Sequence, residues 1–333
     1  MSSNYLMKGE NQLLQAYLHE MPCCLYVTGE DAYAFLQSQF SNDLPRNGGP
    51  FACYGLWLNV KGRVLADSVI VSSDSENFYI FSENTEARSI KDILENHIIA
   101  DDVTIEPIQL IGAMLVNLPA AKLLTRELGL IKNEAGDLTS HYINVDFSVC
   151  AVFPGNRLGE EGFVFCFKDE AEYSLCRKVL EEHFIHWISE NEMHLKRLKL
   201  GMPLVPNEIG PNDLAGEGDL VPSAASLTKG CYLGQEVVAR LYHVGKAQRQ
   251  LFVMTFNRLD EADSIQLPLT ITKENRTTGE LRTLYQDTTD SNKWYGVALL
   301  KVRYEDEVQS EFKIGDSSVH ALCRLSEFSL SDQ

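Results

Sequence analysis

An α+β fold followed by a separate small β-domain is predicted for this 333-residue chain. Three observations predict it. Up to about residue 245, short apolar strand-like runs alternate with helix-period segments, and the close turns between strands suit antiparallel sheets with helices on one face. From Gln248 onward, short strands follow one another between turns with little helix. The length exceeds what one small core accommodates and suits two or three domains.

Taken in order, Glu10 to Glu20 has helical spacing. CLYVTG is a short strand ending in a turn, and Glu30 or Asp31 opens a helix through Phe40, with Ala32, Phe35, Leu36 and Phe40 on one face. SNDL stops it. CYGLWLN, a Lys61-Gly62 turn and RVLADSVIVS form a β-hairpin. NFYIFSE adds a strand and Thr85 to His97 a helix. VTIEPI, IGAMLV, YINVDF, VCAVF and FVFCF continue as strands, with helices near 120–128 and 170–188. Asn207 to Ser226 is the one long irregular segment, rich in Gly, Pro and acids; long loops in compact proteins are usually functional. QLFVMTF, IQLPLTI, TTGELRTLYQ, KWYGVALLKV, EFKIG and SVHALCRL then read as a small barrel or sandwich, with its boundary near Gly245.

Composition narrows the function. The hydrophobic fraction of 44% is that of a globular protein, and no apolar run is long enough to span a bilayer. The longest, Leu110 to Leu124, is broken by Gly112, Asn117, Pro119 and Lys122. Met1 to Gln12 has the features of neither a signal nor a transit peptide, so a cytoplasmic location is expected, with no membrane partner. The net charge of -18, with no basic run, disfavours nucleic acid as the main ligand. A small anionic ligand remains compatible, provided a few cations are well placed. Eight cysteines make no C-x-x-C pair and resemble neither a disulfide framework nor a zinc site. Most are expected to be reduced core thiols, Cys150 and Cys166 in apolar strands among them; Cys23 and Cys24 are adjacent and read as two unrelated thiols.

The stretch TKGCYLGQEVVAR, Thr228 to Arg240, stands apart. Gly230 permits a tight turn beside Cys231, and Leu233 to Leu241 can form a helix whose positive end lies near the thiol. Together with Lys229 this arrangement favours thiolate, the form that attacks electrophiles or ligates iron. From the residues alone, a Gly turn with a buried structural Cys is the standing alternative.

Lys229-Gly230-Cys231-Tyr232-x-Gly234-Gln235-Glu236 resembles the signature of the YgfZ family, folate-binding proteins of iron–sulfur cluster assembly or repair related to the glycine-cleavage T-protein, an aminomethyltransferase. The likeness extends along nearly the whole chain, through Val27-x-Gly29-x-Asp31-Ala32, Phe35-Leu36-Gln37, Ser41-Asn42-Asp43, Lys61-Gly62-Arg63 and Arg197-x3-Gly201-x-Pro203. It implies an aminomethyltransferase-like fold of three domains around a central channel: two interleaved α+β units within residues 1–245 and a β-barrel over 246–330. It also implies a tetrahydrofolate-type cofactor and iron–sulfur client or assembly proteins as partners. By the same likeness Cys231 is the functional thiol, Lys229 its neighbouring cation, and the residues around it, Tyr232 and Gln235 among them, hold it at the mouth of a folate site.

A pterin needs a carboxylate for its paired N–H groups, an aromatic or apolar slot for its ring and a cation for its glutamate tail. Glu160, in Gly159-Glu160-Glu161-Gly162, resembles the pterin-contacting glutamate of the T-protein; a solvated hairpin turn is the alternative. Arg197 matches the arginine of the related folate sites, against a plain helix-surface charge beside Lys196 and Lys199. Asp67 matches the carboxylate thought to act on folate in aminomethyltransferases, and an Asp inside an apolar strand is costly unless paired or useful. Trp57 and Tyr54 are candidates to wall the pterin, or else core residues. His183, His186 and His194 could share one helix face, but no H-E-x-x-H or carboxylate at ligand spacing accompanies them, so no metal site is assigned. Walker A and G-x-G-x-x-G sequences are missing. Three functions follow: a folate-dependent accessory protein for iron–sulfur proteins acting through Cys231, a folate-dependent aminomethyl or one-carbon transferase using Asp67, or a non-catalytic folate-binding interaction module.

Overall fold

The computed structural model describes residues 13–46, 49–72, 74, 76–130, 143–145, 150–155, 162–245, 247–257, 266–303, 311–315 and 317–328. Its first sheet has the order β3-β4-β5-β2-β6, built from β2 (Cys23–Thr28), β3 (Phe51–Leu58), β4 (Val64–Ser72), β5 (Phe78–Ser82) and β6 (Thr104–Pro107). Every neighbouring pair is antiparallel. Helices α1 (Ala32–Gln39) and α2 (Ala87–Glu95) bury Phe35, Leu36, Ile90 and Leu94 against one face, on Leu25, Trp57, Ile70 and Ile80.

The second sheet has the order β10-β1-β7-β9-β8, with β1 (Gln15–His19), β7 (Gly112–Asn117), β8 (Ala151–Pro154), β9 (Gly162–Phe167) and β10 (His186–Trp187). Helices α3 (Leu118–Glu127) and α4 (Glu170–Glu182) cover its outer face through Leu124, Cys176 and Leu180. Its inner face meets the first sheet: Cys24, Val71 and Phe81 pack with Ala113, Leu115, Phe153 and Val164. The chain enters the second sheet with β1, builds the first with β2 to β6, then returns, so the two units interleave in sequence as the likeness implied.

Strands β11 (Arg249–Asn257), β12 (Leu269–Lys273), β13 (Arg276–Gln286), β14 (Lys293–Lys301), β15 (Glu311–Ile314) and β16 (Ser317–Arg324) close a barrel, filled by Phe252, Met254, Ile271, Leu281 and Phe312. Between barrel and first sheet runs the segment after α5 (Glu190–Lys199), which carries the short α6 (Val221–Ala224) and leads into α7 (Gln235–His243). Its Val205, Ile209, Leu220 and Tyr232 share one core with Leu56 and Val64 of the first sheet and Leu251, Val253 and Val297 of the barrel. Among the described residues no helix is long and apolar enough to cross a membrane.

Three expectations change. The helix over Glu10 to Glu20 is instead, in its described part, strand β1, held between β7 and β10; LLQAYLH satisfies helical and strand spacing alike, and the pairing decides. The helix near 170–188 ends at Glu182, because Phe184 turns to φ 58 and feeds β10. His183, His186 and His194 therefore share no helix: they lie at the α4 cap, on β10 and on α5. Of YINVDF only 143–145 lie within the described residues, where Asn144 bridges Val152.

Candidate functional site

A cavity of about 600 Å³ opens where the first sheet, the end of β8 and the segment after α5 meet. Its volume is within the range of small-molecule sites. Tyr54, Asp67, Val69 and Phe81 come from the first sheet and Glu83 from just beyond β5; Gly201, Met202 and Pro203 follow α5; Asp219, Leu220 and Ser223 come from the long segment. Register explains which side chains face it. Leu56 pairs with Asp67, Tyr54 with Val69 and Val69 with Phe81, so these residues share one face of the sheet. Trp57 pairs with Ala66 on the other.

Asp67 is only 3% exposed, and the Tyr54 hydroxyl donates to its Oδ2 at 3.0 Å. Stripping water from a carboxylate is expensive, and the phenol offsets part of that cost in a fixed direction. Trp57 was expected to wall the pterin. It lies instead in the core behind the sheet, 1% exposed, with its ring centroid 4.8 Å from that of Phe40. From there its Nε1 donates to Ser68 Oγ at 2.8 Å, and Ser68 Oγ donates to the carbonyl of Asp67 at 2.7 Å. Trp57 thus fixes the backbone that presents Asp67.

Arg197 is the largest departure. It is 0% exposed, and NH1 and NH2 donate to Glu208 at 2.9 and 2.8 Å, with further bonds to the Met202 carbonyl and to Tyr285 Oη. The Glu208 carboxylate also accepts from Leu204 N and Thr283 Oγ1. Burial works against the charged guanidinium, but Glu208 and Tyr285 more than compensate and hold its pKa above the usual value. The guanidinium clamps the segment after α5 to the barrel and does not line the cavity. Spacing gives no hint of Glu208: it lies eleven positions beyond Arg197, and only the folded loop brings it back. Glu160 lies outside the described residues.

The Thr228 to Arg240 stretch is placed beside the cavity rather than in its wall. Of the eight cysteines only Cys231 is exposed. Burial pushes the Cys23 and Cys176 thiols up to about 12 and raises Cys24, Cys150 and Cys166 as well; Cys53 rises to about 11 despite the neighbouring Lys229 charge. Cys231 also precedes α7 by more residues than expected, since the helix begins at Gln235. The left-handed residue of the motif is Gly234, φ 82, where a Cβ would stand 2.7 Å from the Asn59 carbonyl oxygen; Gly230, expected to make the tight turn, has open space around it.

Lys229 was expected to serve the thiol. Its Nζ donates to the carbonyls of Phe40 and Asn42, both at 2.7 Å, and to Gln37 Oε1 at 3.2 Å, which anchors the motif on the end of α1. Its ammonium is 5.2 Å from the Tyr232 ring centroid. Burial pulls its pKa down to about 8 against the opposing charge of Asp43. Tyr232 is core, and burial pushes its phenol up to about 12. Gln235 Nε2 donates to the Lys229 carbonyl at 3.3 Å, closing the loop on itself. Among the described residues no group of three His, Cys, Asp or Glu side chains converges as a metal site would.

With this geometry in hand, relatives are informative. A family model described as the GCVT N-terminal domain matches residues 23–221. The human mitochondrial iron–sulfur cluster assembly factor IBA57 is 27% identical over 255 residues, covering 70% of this chain and 64% of that protein. The chain spans just under two thirds of this relative's length and of its mouse counterpart's, at 62%. The tRNA-modifying protein YgfZ of Colwellia psychrerythraea is 22% identical, covering 73% of this chain and 72% of that protein. Among solved structures, the glycine cleavage system aminomethyltransferase T of Bartonella henselae superposes with a TM-score of 0.76 at 15% identity, over 94% of this chain and 86% of that one. That likeness shows the fold alone.

Proposed function

The chain belongs to the GCVT N-terminal domain family, and from that premise we propose that it is a folate-binding accessory protein for the assembly or repair of iron–sulfur clusters, with Cys231 as its working thiol. The observation that carries the reading is the cavity at Asp67. A pterin head is planar and rich in N–H donors. The cavity offers a buried carboxylate oriented by Tyr54, further carboxylates at Glu83 and Asp219, and the ring of Phe81. Those residues suit the pterin head; the bound folate would supply a carrier for one-carbon units, and Asp67 would accept from its ring N–H groups. The cluster-assembly part of the reading draws on the names of the IBA57 and YgfZ relatives and on the exposure of one thiol among eight. A second reading, a folate-dependent aminomethyl transferase, rests on the placement of Asp67 and on the aminomethyltransferase of Caldanaerobacter subterraneus, 25% identical over 65% of this chain.

Calorimetric titration with tetrahydrofolate tests the cavity: Asp67→Asn should weaken binding about tenfold or more while leaving the melting temperature near that of the wild type. Absence of wild-type binding would overturn the folate assignment. Complementation of a deletion strain separates the two readings. Cys231→Ser should fail to restore iron–sulfur enzyme activities, and Asp67→Asn should have the smaller effect. Intact iron–sulfur enzymes with defective glycine cleavage would favour the transferase.

A further inference from the structure

We infer that α7, the β3–β4 turn and the segment before α7 form a docking face for an acidic segment of a protein partner, which seats one apolar side chain between α7 and that segment. The inference rests on the reading of Cys231 as the working thiol, since a protein served by that thiol has to approach beside α7. It adds where the partner holds on.

Helix α7 makes the first argument. Of its apolar residues Val237, Val238, Leu241 and Tyr242, only Val238 is buried. Tyr242 is 53% exposed, and Val244, just past the helix, is 86% exposed. The β3–β4 turn stands against this helix: a Cβ on Gly62 would lie 2.8 Å from Val237 Cβ. Val60 in the same turn is 71% exposed. Single exposed apolar residues need no explanation, but a group of them beside an open apolar pocket marks an interaction site.

The pocket makes the second. It holds about 190 Å³, below the range of small-molecule sites at about 300–1,000 Å³. Val237, Leu241 and Tyr242 of α7 line it together with Leu214, Val221 and Pro222 of the preceding segment. The carboxylates and the amide of its wall already have partners. Glu217 accepts from Arg249 and from Leu214 N, Gln250 Nε2 donates to the Gly216 carbonyl, and Asp219 accepts from Ser326 Oγ. What is left open is apolar and sized for one anchoring side chain.

Charge selects the partner. Lys61 and Arg63 follow Val60 in the turn, and Arg240 is exposed on α7. Among the described residues none of the three pairs with a carboxylate; the Arg63 guanidinium donates to the neutral Asn212 carbonyl. Against them stand Glu236 in the first turn of α7 and Asp219, while Arg249 neutralises Glu217. The face is thus locally positive on a chain of net charge -18, and it draws an acidic segment. A second copy would bring this positive face against itself. An anionic membrane would meet the surrounding negative surface as well, whereas a short segment touches the face alone.

The test selects short random peptides, displayed on phage, on the intact protein and titrates the enriched peptide by calorimetry. Enriched sequences should place one Leu, Phe or Met among Asp and Glu, with affinity that falls as salt rises. Tyr242→Glu and Arg240→Glu should each weaken the peptide about tenfold or more at an unchanged melting temperature, and Arg240→Lys should keep most of the affinity. No enrichment, enrichment of basic sequences, or affinity that survives both changes overturns the docking face. So does a dimer in sedimentation, or binding to phosphatidylglycerol vesicles, that Tyr242→Glu abolishes; these assign the face to a second copy or to a membrane. In the deletion strain, Tyr242→Glu combined with Arg240→Glu should fail to restore iron–sulfur enzyme activities. Full restoration by that double variant while Cys231→Ser still fails overturns the docking face and leaves the thiol assignment standing. Full restoration by both overturns both.

Discussion

Replacing Arg197 separates a ligand contact from a structural clamp. In Arg197→Met the side chain keeps its length and loses its charge. Glu208, 0% exposed, then retains its bonds from Leu204 N and Thr283 Oγ1 but, among the described residues, loses the counter-charge it pairs with. Removing one partner of a buried pair costs about 3–5 kcal/mol. At about 2–4 °C per kcal/mol, the melting transition should fall by roughly 6–20 °C. Glu208→Gln alone should also destabilise, by stranding the guanidinium. The double variant Arg197→Met with Glu208→Gln should be less damaged than the sum of the two, because the charge that each single change strands is removed with its partner. Urea and thermal unfolding measure the stability, and folate titration of the folded variant measures the site. A destabilisation below about 1 kcal/mol would refute the clamp. So would lost folate affinity with an unchanged melting temperature, which would return Arg197 to the ligand.

Two further outcomes follow from the motif loop. Lys229 is pulled by burial to about 8, so between pH 8 and its unfolded value, about 10.4, the unfolded chain holds more protons than the folded one. Stability of the wild type relative to Lys229→Met should therefore rise across that window and level off above it; a difference curve that is flat or falling there contradicts the assignment. Gly234→Ala forces a Cβ against the Asn59 carbonyl at positive φ and should cost at least about 1–3 kcal/mol, whereas Gly230→Ala, with open space around it, should change chemical-denaturation midpoints by less than about 0.5 kcal/mol. Equal effects of the two would show that the turn is not where Gly234 places it.

Much of the fold was legible because period-2 runs between turn residues are local signals. The barrel strands follow that pattern, and the CYGLWLN–RVLADSVIVS hairpin pairs as read. β1 was not legible, since its short apolar run fits both periods and only β7 and β10 choose between them. The same boundary runs through the site. That Tyr54 and Trp57 point to opposite faces is written in their spacing; that the Tyr54 face meets the cavity depends on which side the helices cover. The sequence neighbours of Cys231 singled out the stretch, but not what they contact: Lys229 holds α1, and Gly234 makes the turn credited to Gly230. Such roles depend on what approaches from elsewhere in the chain.

A division of charge connects these corrections. Arg197, Arg249 and Arg282 all direct their guanidinium groups onto carboxylates of the segment between α5 and α7: Arg197 onto Glu208, Arg249 onto Asp213 and Glu217, Arg282 onto Asp213. These pairs tie that segment to α5 and to the barrel, while Ser41 and Asn42 tie its far end to the first sheet. The arginines are thereby used in scaffolding, and the described cavity wall is left with Asp67, Glu83 and Asp219. A fully buried Arg197 therefore belongs to this scaffold, and it bears on the cavity only through the segment that it holds in place.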